Sequence, residues 1–479
     1  MLANQSQYAQ QNDTRHSMEQ AQEQANIEAR AARSRHAFAS GITRPGAWRI
    51  GQLQALETML SEQEDLFCKA LGADLGKPRA EAWLTEVSFV MAASRHARRN
   101  LRAWMREQPV ATPLFAMPGK SWVHSEPLGT VLIISPWNYP LQLCLAPLIT
   151  AISAGDCAVI KPSELAPATS AALAEQLPRY LDPDCFGVVE GGIPASTALL
   201  EQRWDHIIFT GGERVGRIVM AAASRHLTPV TLELGGKSPC IVLPDAELEI
   251  AARRIAWGRF TNAGQTCIAP DYVLADADTR ERLIPLLAAE IRGMFGQDPA
   301  RSADYGRIVN GDHFDRLLGL LEPDKVVIGG QSDRQDLYIA PTVLSPAGRN
   351  SPSMQSEIFG PILPLVEAAD LDAALDFVAA GPRPLAAYLF SQERAAQQRM
   401  VDSLSAGSIC INDVMLFMAV DGLPFGGVGD SGTGSYKGRD GFNRLSHRKA
   451  VLRRWEKPDW RIRYAPYTKA RMKWLRRLR

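Results

Sequence analysis

Residues 129–140 read GTVLIISPWNYP. From Val131 to Ile134 every side chain is apolar, with no polar alternation. Such a run fits a strand buried on both faces, as in a parallel sheet. Ser135–Pro140 then breaks the run, and Leu141–Ser153 has the length and composition of a helix. The same sequence of strand, turn and helix recurs downstream. CAVIK (157–161) precedes a helix starting near Pro167, and FGVVEG (186–191) is a further strand. HIIFTG (206–211) precedes a helix starting near Glu213, and PVTLEL (229–234) is a fifth strand. This alternation predicts an α/β fold with a doubly wound parallel sheet. Ligands of such sheets sit at the C-terminal ends of the strands.

On the N-terminal side, residues 1–22 are rich in Gln, Asn and Ser and are read as a flexible lead-in. From about Asn26 to Arg106 the pattern is helical; Pro109, Pro113 and Pro118 then mark an extended connection. On the C-terminal side, ELGGKS (233–238) interrupts the pattern with two glycines and is read as a domain change. A second alternating region runs from about Ala251 to Leu423, with TVLSP, GPILPLV, LAAYLF and GSICIN as its strands. Ser121–Thr130 and Ser446–Trp455 flank the two regions and are expected to pair outside them. From Arg461 to Arg479 the chain carries many Lys and Arg and no acid. That tail reads as a solvated basic end or, because Trp474 and Leu475 interleave with the charges, as a peripheral membrane or partner contact.

The chain has 479 residues, 46% hydrophobic and 22% charged, which suits a globular protein of several domains. A formal net charge of +1 gives no general pull toward nucleic acid. The sequence shows neither an apolar run long enough for an integral membrane anchor nor an apolar signal core. A cytoplasmic location is the resulting expectation. The seven cysteines form no C-x-x-C pair, and H-E-x-x-H is absent, so no metal site is expected. Cys144, Cys157 and Cys240 lie in apolar runs and read as core packing.

Cys267 differs. It stands in TNAGQTCIAP (261–270), a polar turn with Gly264 three residues before it. Such a turn exposes sulfur and offers backbone N–H groups that favour a thiolate and, later, an oxyanion. Glu233 falls at the C-terminal end of a strand, just before Gly235 and Gly236. It is either a solvated strand-end acid or a base that activates water or accepts a thiol proton. Asn138, in SPWNYP (135–140), is either a simple turn asparagine or an amide donor of the oxyanion-hole kind. After HIIF comes TGGERVG, with Gly211 and Gly216 bracketing a helix start; this is a phosphate-binding geometry or an ordinary strand-to-helix turn. KPSE (161–164) places Lys161 and Glu164 at another strand end, where they can hold ribose hydroxyls.

Taken in order, SPWNYP, KPSE, FTGGERVG, LELGGKSP, NAGQTCIAP, SEIFGP and LPFGGVGDSGTG resemble the aldehyde dehydrogenase superfamily over nearly the whole chain from about residue 26. The likeness is greatest to the class 3 branch, on SEPLGTVLIISPWNYP, SHRKAVL and the RYAPYT to RMKWLRRL segment. Bacterial members of that branch include coniferyl aldehyde dehydrogenases, and relatives act on medium-chain, fatty and aromatic aldehydes. Two positions depart from the commoner pattern: Gly212 where Ser follows Thr-Gly in many relatives, and Ser356 where Glu is usual.

The resemblance implies two doubly wound α/β domains with a small oligomerisation strand region. Residues 23–234 would form the NAD-binding domain, with 110–130 partly bridging. Residues 235–430 would form the catalytic domain, and 431–479 a bridging strand and basic tail. It implies Cys267 as nucleophile, Glu233 as general base, and Asn138 with the Cys267 amide as oxyanion hole. Lys161 and Glu164 would hold the adenosine ribose, and Gly211, Gly212, Glu213, Arg214, Val215 and Gly216 would lie at the pyrophosphate. Glu357 would hold the nicotinamide ribose, with Phe359 packing at the nicotinamide. The cofactor would be NAD, with NADP possible, and the assembly a homodimer. The apolar stretch Val414–Ala419 suits a hydrophobic or aromatic aldehyde. Two rival classes are a thiol hydrolase that needs no cofactor and a non-catalytic nucleotide-binding protein. Within the family, CoA-acylating chemistry is a third alternative, against which the intact Glu233 argues.

Overall fold

The computed structural model describes residues 22–476, and the lead-in read at the N-terminus therefore lies almost wholly outside the described residues. Helices at 22–39, Gly46–Glu62, Glu64–Leu75 and Ser88–Trp104 fill the N-terminal segment, as its composition predicts. Between the last two, Arg79–Ala82 runs into a π-helical turn, Trp83–Val87. Such turns are rare and concentrate at functional sites.

The first sheet has six strands. Its order is Gly432–Thr433, Val230–Glu233, His206–Thr210, Thr130–Ile134, Cys157–Lys161 and Phe186–Val188. The five N-terminal strands are parallel. Thr130–Ile134, Cys157–Lys161 and His206–Thr210 are buried at every residue, as apolar strands covered on both faces must be. FGVVEG is a strand only over Phe186–Val188, at the sheet edge. The chain reverses its strand order between Thr130–Ile134 and His206–Thr210, which opens a crevice at their C-terminal ends.

The second sheet has seven strands. All four strands read from the sequence are present: Thr342–Ala347, Ile362–Glu367, Ala386–Phe390 and Ser408–Ile411. Three more complete it: Pro239–Val242, Tyr272–Ala275 and Val326–Ile328. The last is the antiparallel edge.

After residue 411 the chain returns to the first sheet. Leu234 N–H donates to Ser431 O at 3.0 Å, and Gly432–Thr433 pairs antiparallel with Val230–Glu233. The flanking segments also meet as expected. Gly119–Pro127 and Ser446–Arg454 form a nine-residue antiparallel pair, extended by Gln108–Val110. Beyond that arm, Trp460 and Trp474 are more than half exposed and border an apolar groove with Leu114 and Phe115. Among the described residues no helix is long and apolar enough to cross a membrane.

Candidate active site

The strand ends of the first sheet converge with the turn that follows the helix Leu248–Phe260. In that turn Asn262, Ala263 and Gly264 all have positive φ, of 55°, 49° and 74°. For Asn and Ala this left-handed conformation is strained and needs external fixing. At Gly264 a side chain is also sterically impossible, because a Cβ would lie 2.2 Å from Gly360 O. Gln265 supplies the fixing. Its amide donates to Asn262 O and Arg307 O, both at 2.9 Å, and accepts from Val309 N–H at 3.0 Å. Tyr139 and Thr266 join hydroxyls at 2.7 Å. The tight turn therefore delivers Cys267 in one orientation.

Cys267 is half-buried and lines a cleft. The walls are largely apolar and include Leu84, Phe89, Trp257, Met415, Leu416 and Met418. Of the Val414–Ala419 stretch, Val414 and Phe417 turn into the core and the rest face the cleft. The sulfur does not ionise as readily as the polar turn suggests. Burial pushes its pKa well above the ordinary thiol value, and the nearby carboxylates of Glu233 and Glu357 push the same way. The N–H groups of Cys267 and Ile268 oppose this but do not win.

Glu233 is 1% exposed, which settles against a solvated strand-end acid. Neither carboxylate oxygen has a hydrogen-bond partner among the described residues. Burial raises its pKa to about 8. Glu357 resembles it: burial, then the charge of Asp271, raises it to about 8. One of its oxygens is also unpartnered among the described residues. Gly235 makes room for it, since a Cβ there would stand 2.0 Å from Glu357 Oε2. Gly236 packs against the backbone of Pro384 and Leu385. The double glycine after Glu233 thus serves close approach on both sides.

Asn138 is 2% exposed. Its Nδ2 donates to Gln265 O at 3.0 Å, which ties the SPWNYP turn to the Cys267 turn and leaves a second N–H. Lys161 Nζ meets Glu164 Oε2 at 2.6 Å at the next strand end. The helix Glu213–Ser224 starts with Gly212 at its N-cap and no side chain capping it. The glycines around it do different work. A Cβ at Gly212 would meet nothing within 4 Å, whereas at Gly211 and Gly216 it would strike Phe209 and Leu234. Gly212 therefore faces open space, while Gly211 and Gly216 seat the helix on the sheet. Glu213 pairs with Arg217 outside, and Val215 is part-exposed. Phe359, at φ 51°, stands edge-on to Trp137 at 5.3 Å.

Several residues of the site carry no local signature. Asp271 binds Lys237 at 2.5 Å and Arg259 at 3.0 Å, all deeply placed. Lys237 also donates to Ser353 O and Ser356 O, and Asp271 accepts from Ile358 N–H. This network fixes the segment bearing Glu357 and Phe359. Lys237 is adjacent to the Gly-Gly break and was findable there; Asp271 and Arg259 were not. Near the Cys267 turn, burial raises Glu81 to about 6 against the pull of Lys77 and the Asn262 amide.

Comparison with known proteins adds an independent line. Residues 6–451 match the model of the aldehyde dehydrogenase family. The chain is 48% identical to aldehyde dehydrogenase family 3 member B1 of Bos taurus over 440 residues, 91% of this chain and 94% of that protein. It is 44% identical to family 3 member A2 of Mus musculus over 450 residues, 94% and 93% of the two chains. Among solved structures it is similar to the substrate-bound state of Staphylococcus aureus AldH, with a TM-score of 0.92, 42% identity and coverage of 94% and 99%. An indole-3-acetaldehyde dehydrogenase complexed with NAD+ gives a TM-score of 0.82 at 26% identity, covering 90% and 89%.

Proposed function

Because the chain belongs to the aldehyde dehydrogenase family, with class 3 members among its relatives, we propose that it oxidises a hydrophobic or aromatic aldehyde to the acid, with NAD as acceptor. The supporting observation is a half-buried thiol lining an apolar cleft, with two buried carboxylates whose oxygens are unpartnered among the described residues close enough to act on it, and an amide tied to the turn that carries it.

The residues fit a dinucleotide. The uncapped helix start at Gly212 has open space beside it, Lys161 and Glu164 lie at a neighbouring strand end, and Glu357 keeps a free buried oxygen. In this reading Lys161 and Glu164 hold the adenosine ribose, backbone of Gly211–Gly216 meets the pyrophosphate, and Glu357 holds the nicotinamide ribose beside Phe359. The cofactor supplies the acceptor for the hydride removed from the aldehyde carbon.

The chain supplies the rest. Cys267 gives its proton to Glu233 as sulfur bonds to the aldehyde carbon, and the oxygen becomes an oxyanion. The free N–H of Asn138 and the Cys267 amide meet that charge. After oxidation the carbon is a thioester. Glu233 first passes the cysteine proton to water, then takes a proton from a second water, whose hydroxide adds to the carbonyl, and the carbon–sulfur bond breaks to release acid and the Cys267 thiolate. Since Glu233 titrates near 8, the base form grows as pH rises through that value. The rate rises with it.

The cleft walls favour an apolar chain or ring over a charged semialdehyde. Coniferyl aldehyde is one ring substrate in that class, and medium-chain fatty aldehydes are the alternative. We read the assembly as a homodimer, with the arm Gly119–Pro127/Ser446–Arg454 at the interface, because its outer strand is largely exposed. The test is turnover of coniferyl aldehyde, benzaldehyde, hexanal, decanal and succinic semialdehyde with NAD and NADP separately. Preference for the semialdehyde, or thiol-ester cleavage indifferent to dinucleotide, sinks the proposal.

A further inference from the structure

Behind the Asn138 turn lies a charge pair that the reaction scheme does not use. Lys77 Nζ and Glu86 Oε1 are 2.5 Å apart, and both side chains are fully buried. Each reaches the same turn. Lys77 Nζ donates to Asn138 O at 3.1 Å. Glu86 Oε2 accepts from Leu141 N–H at 2.8 Å and Gln142 N–H at 3.1 Å. The helix Gln142–Ala154 has no side chain of its own at its N-terminus, so Glu86 caps it from outside. Asn262 Nδ2, from the Cys267 turn, donates to the same Asn138 O at 2.8 Å. Glu86 sits in the π-helical turn Trp83–Val87, whose Leu84 and Thr85 line the cleft. A buried ion pair costs desolvation and is a poor source of stability. Here all its hydrogen bonds point at one functional turn.

We propose that Lys77 and Glu86 are positioning residues for acylation: the pair grips the Asn138–Gln142 turn from both ends and keeps the free Asn138 N–H aimed at the oxygen of an aldehyde on Cys267. The inference rests on Asn138 being the oxyanion donor. Displacing such a donor by about 1 Å costs on the order of 10²-fold in rate.

The experiment uses the full chain with hexanal and NAD and reads the pre-steady-state burst. Removing one partner leaves a lone buried charge, so the pair is neutralised together as Lys77→Met with Glu86→Gln. Asn138→Ala is expected to slow the burst by about 10²–10³-fold. The pair variant is expected to slow it by about 10²-fold, with the NAD dissociation constant unchanged. In the Asn138→Ala background the pair change is expected to add less than about twofold, because it acts through the missing amide. Losses that simply multiply, or a pair variant with a full burst, overturn the clamp and leave the oxyanion reading standing. A full burst in Asn138→Ala removes that reading, and the clamp with it. If the pair variant does not fold, Lys77→Gln with Glu86→Gln, which also leaves no lone charge, is taken through the same cycle, and a full burst there also overturns the proposal.

Discussion

Two sets of buried charge surround the sulfur, and they differ in how they are satisfied. Those closest to it, Glu233 and Glu357, have oxygens with no partner among the described residues, and both titrate near 8. Those one step behind, Lys77 with Glu86 and Asp271 with Lys237 and Arg259, are paired at 2.5–3.0 Å. Buried polar groups are usually satisfied, because an unpaired one costs its desolvation energy. The outer groups obey that rule and hold backbone in place. The inner groups break it, and the deviation falls where protons must move.

The comparison can be broken most severely at the sulfur. Cys267→Ala is expected to lower aldehyde-dependent NADH formation by more than about 10⁴-fold while NAD binding persists. Absorbance at the nicotinamide wavelength and calorimetric titration measure the two; retained turnover means another nucleophile. Next is Glu233→Gln, expected to slow both phases, the NADH burst less than the following steady phase, which falls by about 10²–10⁴-fold. Loss of the burst, with acylation limiting the whole turnover, would assign Glu233 to acylation rather than to hydrolysis.

The same substitution sharpens the contrast thermodynamically. Glu233 titrates near 8 when folded and near the ordinary carboxylate value when unfolded. Between about pH 4.3 and 8 the folded state therefore binds the extra proton, and stability falls as pH rises through that window. Glu233→Gln removes this loss, so its melting temperature relative to wild type is expected to be higher at pH 8 than at pH 5, by the equivalent of roughly 1–4 kcal/mol. A gain that does not vary with pH would mean the carboxylate is paired after all. The smallest effect is expected at the cleft wall. Leu416, 48% exposed, loses only part of its contact area on Leu416→Ala. KM for an apolar aldehyde is expected to rise by about 3–10-fold with kcat nearly unchanged; steady-state kinetics with decanal check it.

The first sheet was legible because its central strands carry apolar runs such as Val131–Ile134 and Ile207–Phe209, a signal that needs no partner to interpret. Pro239–Val242 and Tyr272–Ala275 escaped because each is a four-residue apolar run that a buried helix segment imitates. Gly432–Thr433 has no strand composition at all; only Val230–Glu233 beside it makes it one. In the site, Cys267, Glu233 and Asn138 stood out because each interrupts a local pattern. Lys77 and Glu86 do not: Lys77 lies in a short break between helices and Glu86 in a helical stretch, and their targets lie 61 and 55 positions away. The upward push on the Cys267 thiol was hidden for a similar reason. Its turn displays the favourable amides, while the opposing burial and the carboxylates of Glu233 and Glu357 come from the packed surroundings and from distant segments.

The closing strand Gly432–Thr433 also sets a schedule for biosynthesis. Val230–Glu233 emerges from the ribosome some two hundred residues before the segment that covers its open side. At about 5–20 residues per second that side stays bare for roughly 10–40 seconds, long enough to recruit a foreign strand. The strand that ends in Glu233 is therefore open to foreign pairing on that side until Gly432–Thr433 has been made.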